Sequence, residues 1–286
     1  MTSRLLMPCR RAGVRTAGEA SLGAGVGGSV APTAILDWGH PLVAALVARV
    51  RRDAAARGAG SPREALQVAH GIIARGVRPV YSVEDRRRTS RTMRLGRGSC
   101  SQRMAALESV ARAMDVPTRV RGLLVDGVFW YPRFPRFRPL VPEQVLLAWP
   151  EFLLQKEQEP AQEQGQEQSH AQGLEWVPIG ELFRSPAERG GGSGGGAFTN
   201  RGGETLFDAV ARTAVDWDGT QSCGMPGGAG CDLSAHVLVD LGYFGSRDAL
   251  FARHGQTLCW PARRLSEPVL GRWSAGAGAD AGPTSP

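Results

Sequence analysis

The sequence predicts an α+β fold. Three observations point to it: apolar residues at helical spacing before residue 115, four strand-like runs between residues 119 and 179, and an Asp126-Gly127 pair at the end of the first run. Pro41 to Arg52 carries Leu42, Val43, Leu46, Val47 and Val50, which suits one face of a helix. Ser61-Pro62-Arg63-Glu64 reads as an N-cap, a proline at the first helical position and an acid in the first turn. The helix that follows would carry Leu66, Ala69, His70 and Ile73 and stop near Gly76. Residues 78–83 read as extended or a turn, followed by a polar, Arg-rich stretch. Ser99 is a helix cap, and the helix from Cys100 to about Asp115 carries Met104, Leu107, Val110, Ala111 and Met114. Arg119 to Val125 reads as a strand, Asp126-Gly127 as a hairpin turn and Val128 to Tyr131 as the return strand. Residues 145–154 and 174–179 supply two further strands.

The chain divides by composition. Residues 1–34 read as a disordered leader, 35–184 as the core and 155–172 as a Gln/Glu-rich, low-complexity insertion. Residues 185–197 hold a Gly-rich linker, 198–273 a C-terminal extension packing on the core, and 274–286 a disordered tail.

Formal net charge is +7, and Lys156 is the only lysine. Arginine, alanine and glycine together are what a GC-rich bacterial genome supplies. The densest basic run, Arg86-Arg87-Arg88 with Arg91 and Arg94, has no interleaved aromatics, so no nucleic-acid partner is expected. No apolar run is long enough to cross a bilayer, and no membrane partner is expected. The N-terminus lacks a signal-peptide apolar core, which gives a cytoplasmic expectation. Five scattered cysteines, Cys9, Cys100, Cys223, Cys231 and Cys259, do not form a disulfide framework. The last three with His236 and His254 have no compact zinc spacing, so neither metal nor cofactor is expected.

Cys100 is the candidate nucleophile. A helix N-terminus favours a thiolate through the helix dipole and free N–H groups, and the glycines before it let a substrate backbone approach. The competing reading is a small buried residue. His70 reads as a packed core histidine, His40 as a helix-entry residue and His254 as the end of a helix.

Gly98-Ser99-Cys100, the helix after it and Val116-Pro117-Thr118-Arg119 leading to Gly122 resemble the core of the transglutaminase-like superfamily. Leu147-Ala148-Trp149-Pro150-Glu151 resembles that family's His-Ala-Trp-x-Glu strand, and Trp176 to Gly180 its Trp-x-x-x-Asp strand. The resemblance covers roughly residues 37–184. It implies a nucleophile helix packed on an antiparallel sheet, a Cys-His-Asp site and acyl transfer or amide or thioester hydrolysis through a Cys100 acyl-enzyme. The implied partner is a peptide, a protein or a carrier-bound acyl substrate. Leu147 stands at the family's His position and Gly180, beside Glu181, at its Asp position. The substitute pair is His236, four residues before Asp240 in an alternating stretch, with Asp248 to orient it. Ser99, Trp130 and Trp149 are the candidate substrate-binding residues, the tryptophans as core and cleft wall. An enzyme built this way requires an accessible thiol of low pKa with an imidazole in reach. The alternative is a catalytically degenerate module of the same architecture that binds a peptide or protein partner.

Overall fold

The computed structural model describes residues 26–134, 138–156, 173–184, 198, 200, 204–211 and 233–274. It has a mixed helical and antiparallel-sheet architecture of the α+β class. Helices α1 (Pro41–Ala56) and α2 (Pro62–Gly76) form where apolar periodicity predicts them. His40 caps α1, and Ser61 and Glu64 close a reciprocal capping box on α2. A two-residue strand β1 (Arg78–Pro79) follows. The Arg-rich stretch then becomes a helix, α3 (Thr89–Leu95), that periodicity does not reveal, because its buried face is Thr89, Ser90 and Thr92. Strand β2 (Arg97–Gly98) pairs in parallel with β1.

Helix α4 (Cys100–Ala113) is the hub of the molecule and packs on α1, α2 and α3 as well as on the sheet. Its expected apolar stripe is buried through Met104, Leu107, Val110 and Ala111, but so are Gln102, Arg103, Glu108, Ser109 and Arg112. A helix buried all round must find partners for every polar side chain it carries. Arg112 donates to Thr118 Oγ1 at 2.7 Å, to Ala31 O at 2.7 Å and to Gly245 O at 2.8 Å.

The main sheet contains β3 (Thr118–Asp126), β4 (Gln144–Gln155), β5 (Leu174–Pro178) and β6 (Val237–Phe244), in the order β5-β4-β3-β6 and antiparallel throughout. The expected return strand at 128–131 is instead part of a 3₁₀ helix, Gly127–Arg133, capped by the Asp126 carboxylate on the Val128 N–H at 3.0 Å. The hairpin partner of β3 is β4, with Asp126 opposite Gln144. A two-residue turn is therefore replaced by a long excursion, and Phe129 is spent on the core rather than on a ladder.

One stack ties the four strands together. Arg119 and Glu151 are direct cross-strand partners, joined by Nε–Oε2 and Nη2–Oε2 contacts of 2.7 Å. The Arg119 guanidinium lies 4.3 Å from the Trp176 ring of β5 and 3.9 Å from the Tyr243 ring of β6. Cation–π contacts from one paired guanidinium to rings on β5 and β6 tie the strands of the sheet together.

The expected boundary at residue 35 lies too far into the chain. Ser29 pairs with Thr118, and Trp38 Nε1 donates to Val30 O at 3.1 Å, so the described chain joins the fold before Ile35. A Cβ on Gly28 would stand 2.2 Å from the Trp176 ring, so only glycine lets this segment pass over it. Past the linker, α5 (Leu206–Ala209), α6 (Arg247–His254) and α7 (Trp260–Leu270) complete the fold. The region read as an extension is integral, since β6 is a strand of the main sheet. Residues 1–25, 157–172, 185–197, 212–232 and 275–286 lie outside the described residues, as do the greater part of the leader, insertion and tail, the linker, and Cys9, Cys223 and Cys231. No described helix is long and apolar enough to cross a membrane.

His70 is a core residue, as its helix position implies. Its Nε2 lies 2.6 Å from Phe207 O, and its ring stacks on Phe207 with centroids 4.2 Å apart. Burial holds its pKa down at about 4, outweighing the Phe207 carbonyl that pulls it up. A group depressed on folding contributes stability above its unfolded value near 6.5, and that stability is lost as pH falls through the folded value. His70 should therefore remove roughly 3 kcal/mol of stability between about pH 6.5 and below pH 4. Urea unfolding of the protein and His70→Gln across this range measures it. The variant should show the shallower acid limb, and parallel limbs would refute the assignment.

Candidate functional site

The first turn of α4 is built as expected. Ser99 adopts the extended conformation of an N-cap, its Oγ accepts from Gln102 N at 3.4 Å, and Gln102 Oε1 accepts from Ser99 N at 3.0 Å. This places Cys100 at the first helical position. The Ser99 side chain is thereby committed to the cap, which argues against the substrate-binding role expected of it.

Cys100 is half-buried and packs against the core. Burial pushes its thiol pKa above the ordinary value. The Ser101 N–H and the guanidiniums of Arg103, Arg133 and Arg247 pull it down, but less strongly. The helix N-terminus thus does not deliver the low-pKa thiol that the sequence leads one to expect, because desolvation of an anion outweighs these favourable charges.

Each guanidinium around Cys100 is held by the fold. Arg103 donates to Asp208 Oδ1 at 2.7 Å, to Thr205 Oγ1 at 3.0 Å and to Ala74 O at 3.1 Å. Arg133 donates to Asn200 Oδ1 at 2.9 Å and to Glu204 O. Arg247 pairs with Glu108, and donates to Ser101 Oγ at 3.0 Å and to Ala148 O at 3.1 Å. The Arg247 bridge sets the start of α4 against β4 beside Leu147. Leu147 is only 3% exposed, within the apolar core. Gly180 is likewise buried, in a 3₁₀ turn at the end of β5.

The substitute pair is not assembled. His236 ends a short 3₁₀ turn before β6, its ring 5.5 Å from Phe129, and no hydrogen bond joins it to Cys100. Asp248 belongs to α6, beyond the far end of β6, and its carboxylate accepts from Ile35 N at 3.2 Å. An eight-residue strand separates the two, a span on the order of 25 Å. Asp240, the other acid near His236, is paired with Arg121 at 2.8 Å.

Trp149 is 1% exposed and is a core residue, so it cannot wall a cleft. Trp130 is partly buried, against the core and edge-on to Phe129 at 4.9 Å. The residues that sequence reasoning missed are the arginines around Cys100. Their charge was legible, but their convergence depends on helices and loops far apart in the chain. Among the described residues, no group of three or more His, Cys, Asp or Glu side chains is placed to hold a metal ion. Comparison with protein-family models, with curated proteins and with solved structures gives no match to this chain.

Proposed function

We propose that this chain is a transglutaminase-like module that binds a peptide or protein partner without turning it over. The observation that carries the reading is the surroundings of Leu147. The start of α4 lies against β4 where the resembled architecture needs an imidazole, and the side chain there is a buried leucine. Leucine can neither take the thiol proton nor orient a base. The raised thiol pKa supports the same reading, as does the placement of His236 against Phe129 rather than on Cys100. The architecture itself is supported by Arg119 and Glu151, the Arg and Glu of the two resembled motifs, which meet as cross-strand partners.

Two measurements test this. Alkylation of Cys100, followed by mass spectrometry against pH, should have its midpoint above that of an ordinary thiol, about 8.5. In the source organism, Cys100→Ala should restore the phenotype of a deletion strain as well as the unaltered chain does. A variant that folds but fails to complement would overturn the proposal.

A second reading is favoured by the three guanidiniums around the sulfur: acyl transfer from an amide or thioester through Cys100. A base would take the thiol proton, sulfur would attack the carbonyl carbon and expel amine or thiol, and water or an amine would release the acyl group. Its signature is turnover of a peptide thioester or of a glutamine peptide with a labelled amine, abolished by Cys100→Ala.

A further inference from the structure

The Arg-rich run around α3 faces α7 across a cleft of about 450 Å³ whose lining does not include Cys100. That volume lies within the range of small-molecule sites. The α3 side contributes Arg87, Arg91 and Arg97, and the α7 side Arg263, Arg264 and Arg272. Only two acids, Glu84 and Glu267, line the same space. Both are already engaged: Glu267 with Arg87, and Glu84 with Arg263 at 3.0 Å. Arg91, Arg97, Arg264 and Arg272 form no ion pair with any described residue.

These four guanidiniums around one cavity repel one another, and among the described residues the fold supplies no anion there beyond Glu84 and Glu267, which are already paired. The ion-paired arginines also have unused donors. Arg87 is 6% exposed, yet its Nε has no hydrogen-bond partner, and neither has the buried Nε of Arg263. Guanidinium forks match phosphate oxygens in pairs, and several can share one polyphosphate chain.

The rim carries the feature that the Arg-rich run lacks in sequence. Trp260, at the first position of α7, is 63% exposed, and the Arg264 guanidinium stands 5.6 Å from its ring centre. An exposed indole beside a cationic cleft is a stacking platform for a planar base. An acidic peptide would use the charges and leave the indole idle.

We propose that the α3–α7 cleft binds a nucleoside di- or triphosphate, with its phosphates on Arg91, Arg97, Arg264 and Arg272 and its base on Trp260. The site is independent of Cys100 and of the function proposed for it.

The test is calorimetric titration of the full chain with ATP, ADP, AMP, adenosine and inorganic tripolyphosphate at fixed salt. Affinity should fall at least tenfold from ATP to AMP, and adenosine should show no binding. The double variant Arg91→Glu/Arg264→Glu alters two exposed side chains, so a native circular-dichroism melt is expected. It should weaken ATP at least tenfold. Trp260→Ala should weaken ATP several-fold and leave tripolyphosphate unchanged. ATP binding that survives the charge reversal in a folded protein overturns the proposal, as does equal affinity for adenosine and ATP. Tripolyphosphate binding as tightly as ATP, with Trp260→Ala silent, overturns the nucleotide assignment. A single-stranded oligonucleotide that binds while ATP neither binds nor competes does the same, and would place a nucleic acid there instead.

Discussion

Replacing Arg247 with alanine should destabilise the protein by about 3–5 kcal/mol, the cost of leaving a buried charge without its partner. Arg247 and Glu108 both have fully buried side chains. Burial pushes the Glu108 carboxyl above its ordinary pKa even with Arg247 beside it, and Glu108 Oε2 has no hydrogen-bond partner. In the variant an ionised Glu108 would lose its principal counter-charge. A carboxyl whose pKa is raised on folding is best tolerated when protonated, so the deficit should shrink as pH falls and Glu108 takes up a proton. Urea unfolding at pH 7.5 and pH 5.5 measures both effects. The double variant Glu108→Leu/Arg247→Leu should recover most of the loss, because two apolar side chains replace an ion pair that is expensive to desolvate. An Arg247→Ala protein within 1 kcal/mol of the original would show that water reaches Glu108.

Gly127→Ala should lower stability by about 1–3 kcal/mol through overpacking against a backbone that has little room to yield. An added Cβ would stand 1.9 Å from the Pro142 carbonyl oxygen and 3.0 Å from its carbon. Gly127 N also donates to Glu143 O at 2.8 Å, which holds the segment before β4 against it. Relief of the clash requires breaking that bond and shifting the start of β4. Gly122→Ala is the control. Its Cβ would meet Leu250 Cδ1 at 2.6 Å, but that is the end of a flexible side chain. Thermal melts should rank Gly127→Ala clearly below Gly122→Ala, and the reverse order would refute the account.

Gly127 also shows where sequence reasoning stops. Asp-Gly is a strong hairpin signal, and a turn does begin there, but the demand on the glycine comes from Pro142, fifteen residues away. The helix starts at Ser61 and Ser99 were legible because a cap is a contact between residues three apart. Helix α3 was not, since its inward face is made of threonine and serine and leaves no apolar period. At the candidate site, the position of Cys100 was legible from its cap. Its raised pKa was not, because desolvation depends on elements packed around α4 rather than on its neighbours in the chain.

The sequence by itself determined the main helices, the runs that become β3, β4 and β5, and the place of Cys100 at a helix start. Caps, periodicity and propensity are local and act within a few residues. Only the tertiary structure decided that β6 joins β3, that Glu108, Arg103 and Arg112 are buried, and that Trp260 lines one cleft with Arg87, Arg91 and Arg97. These outcomes depend on burial and charge pairing, which sum over neighbours distant in the chain. An arginine in the sequence is only a charge. Whether it becomes a core strut like Arg247 or, like Arg91, lines a cleft with no ion pair among the described residues depends on which carboxylate the fold brings to it.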